Sequence, residues 1–179
     1  MQSRLKKLAT EIRIAQMEEF KARGFGHIGG ALSITDCLAA LYGEIMKFDP
    51  KNPQWEDRDR LVMSKGHAGP AVYATLALMG YFPMEMLKTL NANGTHLPSH
   101  CDKNLTPGID MTTGSLGQGA STAAGLALGL KAQKKDCRVY LVLGDGESQE
   151  GQVWEMALFA PQHKLNNLIA FVDFNKRQL

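Results

Sequence analysis

The chain has 179 residues, which is enough for one domain with a sizeable hydrophobic core. Charged residues make up 21% and apolar residues 44% of the composition, as is ordinary for a soluble globular protein. A net charge of +2 without a basic run excludes a typical nucleic-acid-binding surface, and the lack of a long apolar stretch or signal peptide predicts no membrane partner.

The first third of the chain is predicted to be helical. Apolar residues recur at helical spacing over residues 4–23, and Gly24 ends that run. Residues 24–30 contain four glycines around His27, which could equally be a surface residue or a functional one. A second helix is expected to begin at Ser33 as its N-cap, with Asp36 completing a capping box.

The middle of the chain contains one short predicted strand, residues 60–64, followed by a helix that extends to about residue 79. His67 lies in the polar turn between them, where a helix N-terminus and an imidazole could both face an anion. A further helix is expected over residues 83–93. Residues 94–111 are irregular and contain His96 and His100, and long irregular segments of compact domains are usually functional or disordered.

The last third contains a second glycine-rich turn, residues 112–119, and then a small-residue helix suited to a core or a subunit contact. Two continuous apolar runs follow, at residues 139–143 and 168–172, with a helical stretch between them. This pattern predicts buried parallel strands joined by a crossover helix. With the strand at residues 60–64, it predicts a doubly wound, mainly parallel α/β sheet.

Oxygen-bearing side chains follow both apolar runs. Asp145 lies within Gly-Asp-Gly at residues 144–146, and Asn175 follows the second run. Ligands of open α/β sheets bind at the carboxyl ends of the strands, and oxygen ligands suit a Mg²⁺ that also binds phosphate. The flanking glycines would let a phosphate approach the backbone closely. The sequence therefore predicts a Mg²⁺–diphosphate site at this edge.

Several motifs occur together and in one order along the chain. Gly-Asp-Gly followed by Asn175, one βαβ unit later, resembles the thiamine-diphosphate motif. The other matching stretches lie at residues 26–30, 49–53 with 58–60, 64–68, 112–119 and 144–151. Together they resemble the diphosphate-binding domain of transketolase, most closely the N-terminal subunit of split transketolases. In those enzymes the pyrimidine-binding and C-terminal domains belong to a separate polypeptide.

The resemblance implies a role for each matching residue of the cofactor site. Asp145 and Asn175 would bind Mg²⁺ together with the backbone carbonyl of Arg177. Gly146 and His67 would contact the diphosphate of thiamine diphosphate. The residues that would line the cofactor near its aminopyrimidine are Gly114, Ser115 and Leu116.

Three further residues are implied in catalysis. His27 and His100 would face the substrate, position its hydroxyls and assist proton transfer. Glu150 would lie at the subunit interface, in a carboxylate network between paired active sites. Two residues depart from the family pattern, because Ile28 and Cys101 each replace a common proline.

The implied reaction is the transfer of a two-carbon ketol unit from a ketose phosphate to an aldose phosphate. The glutamate that activates the aminopyrimidine belongs to the partner domain in this family, so we expect the isolated chain to be nearly inactive. The expected partner is a C-terminal subunit that carries the pyrimidine-binding domain, in a homodimer or heterotetramer. Residues 1–179 would form a diphosphate-binding domain whose C-terminal part is missing, because the chain stops soon after its last strand.

Two alternative functions remain open from the sequence, and a third is disfavoured. The chain could serve a related thiamine-diphosphate enzyme that acts on an unusual sugar phosphate, or it could be a non-catalytic, truncated domain that binds a partner. A nucleotide-binding Rossmann domain is disfavoured, because no Gly-x-Gly-x-x-Gly follows the first strand. Cys37, Cys101 and Cys137 lack metal-ligand spacing and predict free thiols in a reducing compartment, consistent with a cytoplasmic location.

Overall fold

A three-stranded parallel sheet organises the fold in the computed structural model, which describes residues 2–178. Its strands are β1 (Arg60–Met63), β2 (Val139–Gly144) and β3 (Leu168–Asp173), and they lie side by side in that order. Every residue of the central strand β2 is buried, as its continuous apolar run requires. The three strands and the α/β class are as predicted. Leu179, where we expected the domain to be cut short, lies outside the described residues.

One face of the sheet is covered by helices from the first half of the chain. These are α1 (Gln2–Arg23), α2 (Ile28–Leu32), α3 (Thr35–Ala40) and α4 (Gly69–Met79). Helix α1 packs against both α3 and α4. The sheet residues in the same hydrophobic cluster are Leu61, Met63, Tyr140 and Val142.

The other face is covered by α5 (Gln118–Ala132) and α6 (Gly151–Gln162). Because successive side chains of a strand point to opposite faces, the alternate sheet residues Val62, Leu141 and Leu143 pack here. Helix α5 meets them with alanines, which lets its backbone lie close to the sheet. Helices therefore cover both faces of the parallel sheet, as the prediction of a doubly wound fold required.

The prediction that Ser33 caps the second helix is wrong. Helix α3 begins at Thr35, its N-cap residue is Ile34, and no side chain caps it. The Ser33 hydroxyl instead donates to the carboxylate of Asp173, at 2.5 Å, and lies 3.3 Å from the carbonyl of Gly30. Ser33 has helical backbone angles, φ of −64° and ψ of −31°, as the residue that ends α2, whereas an N-cap residue is non-helical, so its hydroxyl is not placed to accept from the first N–H groups of α3.

The helix predicted over residues 83–93 is shorter than expected. It forms only a 3₁₀ helix at Met84–Thr89, and Asn91 takes a left-handed conformation with φ of 54°. Residues 94–111 contain neither helix nor strand, as predicted. Several of the residues proposed for function therefore lie on loops that the sheet and helices hold in place.

One helical stretch, Ile28–Ile45, is long and apolar enough by composition alone to cross a membrane, with a mean hydropathy of 1.2 over 18 residues. This differs from the expectation that no such stretch exists. It is divided into α2, α3 and a π-helical turn at Leu41–Ile45, and 39% of it is buried inside the fold. Core helices of soluble proteins meet the same criterion, so this stretch is weak support for a membrane span.

Candidate active site

The carboxyl ends of the three strands meet at one edge of the sheet, because all three strands run in the same direction. The loops at this edge comprise residues 64–68 after β1, residues 145–150 after β2 and residues 174–178 after β3. A hydrogen bond from the Ser64 amide to the carbonyl of Val142, 2.9 Å long, continues the pairing into the first loop. The predicted cofactor residues of these loops therefore share one edge, as the sequence motifs required.

Asp145 is held against the loop that carries Asn175. One carboxylate oxygen of Asp145 accepts a hydrogen bond from the backbone N–H of Gly146 at 3.0 Å, and the other accepts from Lys176 at 2.7 Å. The amide oxygen of Asn175 accepts from the backbone N–H of Arg177 at 2.9 Å. Each of these oxygens accepts one such bond and keeps a further lone pair for a ligand.

The donor set at this edge fits a Mg²⁺ ion. Within residues 2–178, no group of three or more His, Cys, Asp or Glu side chains is placed to hold a metal. A cation here would draw on the Asp145 carboxylate, the Asn175 amide oxygen and a backbone carbonyl. Mg²⁺ characteristically binds through one or two carboxylates and takes its remaining ligands from phosphate and water.

Three histidines from separate loops cluster beside this edge. The ring centroids of His27 and His67 are 5.5 Å apart, and those of His27 and His100 are 5.8 Å apart. Two glycines make room for the rings. A Cβ atom at Gly30 would lie 2.7 Å from the His67 ring, and one at Gly114 would lie 3.3 Å from the His100 ring. The structure therefore brings together the three histidines singled out from the sequence.

The environment of His67 and His100 favours neutral imidazoles at these two positions. Burial lowers the pKa of His67 from 6.5 to about 4, and the positive charges of Lys65, His27 and His100 act in the same direction. Burial also lowers the pKa of His100, with His27 as a second cause. A neutral imidazole offers one N–H donor and one acceptor nitrogen, which suits hydrogen bonding to substrate hydroxyls and proton transfer.

His67 is expected to stay neutral in the folded protein down to about pH 4. The unfolded chain takes up a proton at this imidazole near pH 6.5, so the unfolded state binds more protons between about pH 6.5 and 4. Stability should therefore fall as the pH falls through this window, and His67→Gln should make that part of the curve flatter. NMR titration of the ring measures the pKa directly, and a value of 6.5 or higher would contradict this assignment.

The loop that carries Gly114, Ser115 and Leu116 packs against the loop after β1. A Cβ atom at Gly66 would lie 2.7 Å from the backbone nitrogen of Gly114, so the two backbones approach closely. Ser115 is exposed and Leu116 is half-buried. Glu150 lies elsewhere at the same edge: it is exposed, and its Cβ atom would be 3.0 Å from a Cβ atom built at Gly117. It is not part of the histidine cluster.

Lys65 is a buried residue of the site that the sequence did not reveal. Only 1% of its side chain is exposed, and it forms an ion pair with Asp173 at the end of β3. Its ammonium group also donates to the carbonyl of Gly30 at 2.8 Å and lies 3.4 Å from the Ser33 hydroxyl. Lys65 therefore attaches the segment after His27 to the edge of the sheet. In the sequence, the only sign of a role for Lys65 was its position beside a glycine at the end of a strand.

Glu147 is the second such residue. It is 2% exposed, and its carboxylate accepts hydrogen bonds from Ser64, Gly117 and Gly144. The loop after β1, the loop before α5 and the end of β2 thus meet at one buried carboxylate. In the sequence it is simply the residue after Gly-Asp-Gly, and nothing in that pattern predicts its partners.

Comparison with known proteins matches residues 4–179 to the family model described as "Transketolase, thiamine diphosphate binding domain". The 6-deoxy-6-sulfo-D-fructose transketolase subunit of Clostridium sp. is 58% identical over 171 residues, which cover 96% of this chain and 62% of that protein. One subunit of the apulose-4-phosphate transketolase of Phocaeicola vulgatus is 43% identical over 89% of this chain and 56% of its own length. This chain thus spans only about 60% of these relatives.

The fold also matches a solved structure. The crystal structure of transketolase from Campylobacter jejuni superposes with a TM-score of 0.91 and 34% sequence identity. The match covers 98% of this chain but 29% of that one, so the similarity concerns one part of a larger protein.

Proposed function

The chain belongs to the transketolase family through its thiamine-diphosphate-binding domain, and from this we propose that it anchors the cofactor of an enzyme that transfers two-carbon ketol units. The donor would be a ketose phosphate and the acceptor an aldose phosphate. The observation that carries the proposal is the hydrogen bond, 2.7 Å long, from the Lys176 amide to Asp145, which holds the loop of Asn175 against the Gly-Asp-Gly turn. That contact brings two oxygen-bearing side chains that could bind a metal, Asp145 and Asn175, to one edge of the sheet, beside three histidines.

The cofactor would be bound by residues of three loops. Asp145, Asn175 and the carbonyl of Arg177 would hold Mg²⁺, while Gly146 and His67 would contact the diphosphate. The loop next to Gly66 would line the organic part of the cofactor through Gly114, Ser115 and Leu116. When bound, thiamine diphosphate supplies the carbon nucleophile that carries the ketol unit.

The side chains of this chain would orient the sugar and handle protons. His27 and His100 lie close together and can each donate one hydrogen bond and accept another in the neutral form. They would fix the substrate hydroxyls and move a proton to or from the reacting oxygen. His67, held neutral by its surroundings, would donate its N–H to an anionic phosphate oxygen without competing for a proton.

A second polypeptide would complete the enzyme. Two of the relatives are named as subunits, which supports a split enzyme whose partner carries the pyrimidine-binding domain. Glu150 is exposed at the edge of the sheet and would face a subunit interface in a homodimer or heterotetramer. The described cysteines are all free, which supports a location in the reducing cytoplasm.

Activity should depend on that partner. Mixing the chain with a cognate pyrimidine-binding subunit, thiamine diphosphate and Mg²⁺ should give ketol transfer, whereas the chain alone should show almost none. The physical reason is that the glutamate that activates the aminopyrimidine would lie on the partner subunit. A coupled assay of aldose formation from a ketose donor measures this, and full activity of the isolated chain would refute the split-site proposal.

A second candidate function changes the donor. The relative that is 58% identical is named for 6-deoxy-6-sulfo-D-fructose, and the one that is 43% identical is named for apulose 4-phosphate. Both identities exceed the 34% found with the superposed Campylobacter jejuni transketolase, which favours an unusual sugar as donor. The donor would then carry a sulfonate, or a phosphate on an uncommon carbon skeleton.

Comparison of donors in the reconstituted enzyme tests this candidate. With one aldose acceptor, 6-deoxy-6-sulfofructose should give a kcat/KM about 10-fold or more above that of fructose 6-phosphate, as expected when a binding site is built for one anionic group. Equal values, or a preference for fructose 6-phosphate, would overturn the sulfonate donor, and apulose 4-phosphate assayed in the same way tests the uncommon sugar phosphate.

A further inference from the structure

Glu147 joins two loops that would bind opposite ends of the cofactor in the proposed function. One loop ends at Gly117 and the other is the Gly-Asp-Gly turn. We propose that Glu147 is a positioning residue that fixes the loop ending at Gly117 relative to the Gly-Asp-Gly turn. The inference rests on the proposed function, since it takes that cofactor site as its frame. It concerns a side chain whose hydrogen bonds, among the described residues, go not to the histidines or Asp145 but to Ser64, Gly117 and Gly144, which lie near both ends of the site.

The geometry around Glu147 is that of a buried carboxylate satisfied by several loops. The oxygen Oε1 accepts from the backbone N–H of Gly117 at 2.7 Å and from the hydroxyl of Ser64. The oxygen Oε2 accepts from the backbone N–H of Gly144 at 3.0 Å. Such charge-assisted bonds to donors of fixed position are stronger than neutral ones and compensate for the removal of the charge from water.

Each partner of Glu147 adjoins a residue assigned to the cofactor. Gly144 directly precedes Asp145, and Gly117 directly follows Leu116. Ser64 directly follows β1 and lies in the same loop as Lys65 and His67. A displacement of the carboxylate would therefore move both the diphosphate side and the aminopyrimidine side of the proposed site.

The packing leaves these loops little freedom to adjust. Gly117 has φ of 84°, a conformation that favours glycine, and a Cβ atom there would approach Glu150 and Gln152 to about 3.0 Å. A Cβ atom at Gly119 would collide with Ser64. Because the segments of Gly117 and Gly119 are already closely packed, a change in the hydrogen bonds of Glu147 should move these segments rather than be absorbed locally.

Glu147→Gln tests the inference with almost no change of shape. The amide has one oxygen, so its NH₂ group must face either the N–H of Gly144 or the donors on the other side, and at least one bond is lost. The ligands are thiamine diphosphate and inorganic pyrophosphate, each with Mg²⁺, titrated calorimetrically into the chain mixed with its cognate pyrimidine-binding subunit, and this mixture is the protein meant below. Loss of a hydrogen bond to a charged group corresponds to about 10–100-fold in affinity.

The ratio of the two affinities separates positioning from general weakening. In the unsubstituted protein thiamine diphosphate should bind more tightly than pyrophosphate, because it contacts both loops, and in Glu147→Gln this advantage should fall by about 10-fold or more. A variant that is only less stable would lose affinity for both ligands equally. Glu18→Gln, an exposed change on α1, is the matched control and should leave the ratio unchanged.

The outcomes are distinguishable. If the unsubstituted protein binds thiamine diphosphate and the ratio survives in Glu147→Gln, the positioning role is overturned while the proposed function stands. If the unsubstituted protein binds neither ligand, both are overturned. Should Glu147→Gln fail to fold, Ser64→Ala removes one donor only. It should shift the amide NMR signals of Gly117 and Gly144 together without ligand, and unchanged signals there would overturn the coupling.

Discussion

Asp145→Ala is expected to abolish Mg²⁺-dependent binding of thiamine diphosphate, with a loss of affinity of at least about 100-fold. Mutation of residues that only support metal ligands typically costs about 10–100-fold, and Asp145 would itself be a ligand. The substitution also removes the acceptor for the N–H groups of Gly146 and Lys176, so the loop of Asn175 loses its attachment to the turn. Calorimetric titration with and without Mg²⁺ measures the effect.

The control for this experiment is Asp136→Ala. Asp136 is exposed and precedes β2, so it lies at the opposite edge of the sheet. Its loss should leave cofactor binding unchanged. Undiminished Mg²⁺-dependent binding by Asp145→Ala would remove the metal site from this edge. Absence of binding by the unsubstituted chain, even with its partner, would instead favour the non-catalytic alternative.

Lys65→Met is expected to destabilise the fold by about 3–5 kcal/mol, the usual cost of removing one partner of a buried ion pair. Methionine fills the same space but leaves the Asp173 carboxylate, whose side chain is 10% exposed, without its counter-charge. It also removes the donor to the carbonyl of Gly30. Urea denaturation, read as a shift of the midpoint at constant slope, measures the change in the free energy of unfolding.

Three further variants isolate the ion pair. Asp173→Asn, alone and combined with Lys65→Met, completes a double-mutant cycle. The combination removes both charges and should recover part of the lost stability, giving a favourable coupling energy. Lys88→Met breaks the exposed pair with Glu85 and should leave the urea midpoint almost unchanged, because exposed ion pairs contribute little to stability. If Lys65→Met costs no more than Lys88→Met, the buried pair does not stabilise the edge of the sheet.

The sheet was predictable from the sequence because its signal is local. The run at residues 139–143 is apolar throughout and ends at Gly-Asp-Gly, so strand type, burial and direction followed from it. The position of Asp145 and Asn175 after strand ends was predictable for the same reason, while their roles in binding a cofactor stay a prediction. Resemblance to a known family then supplied roles that periodicity could not.

The contacts of single side chains were not predictable in the same way. Ser33 has the local pattern of a helix cap, yet its partner Asp173 lies 140 residues away and could not be inferred from neighbours. Lys65 and Glu147 are charged residues that sequence reasoning expects at the surface, and only tertiary structure shows that each is buried with its partners. Long-range pairing therefore overrode local preference at the site.

The ion pair of Lys65 with Asp173 also bears on the order in which the protein folds. Its partners are 108 residues apart: Lys65 follows β1 and Asp173 ends β3, and β2 lies between these two strands. The bond can form only after the third strand has joined the sheet, and such non-local contacts are slow because the intervening chain must first close. Because the carbonyl of Gly30 and the hydroxyl of Ser33 meet the same pair, the segment after His27 reaches its final position late. An early folding intermediate with α1, α3 and α4 already packed would still lack a correctly placed first histidine.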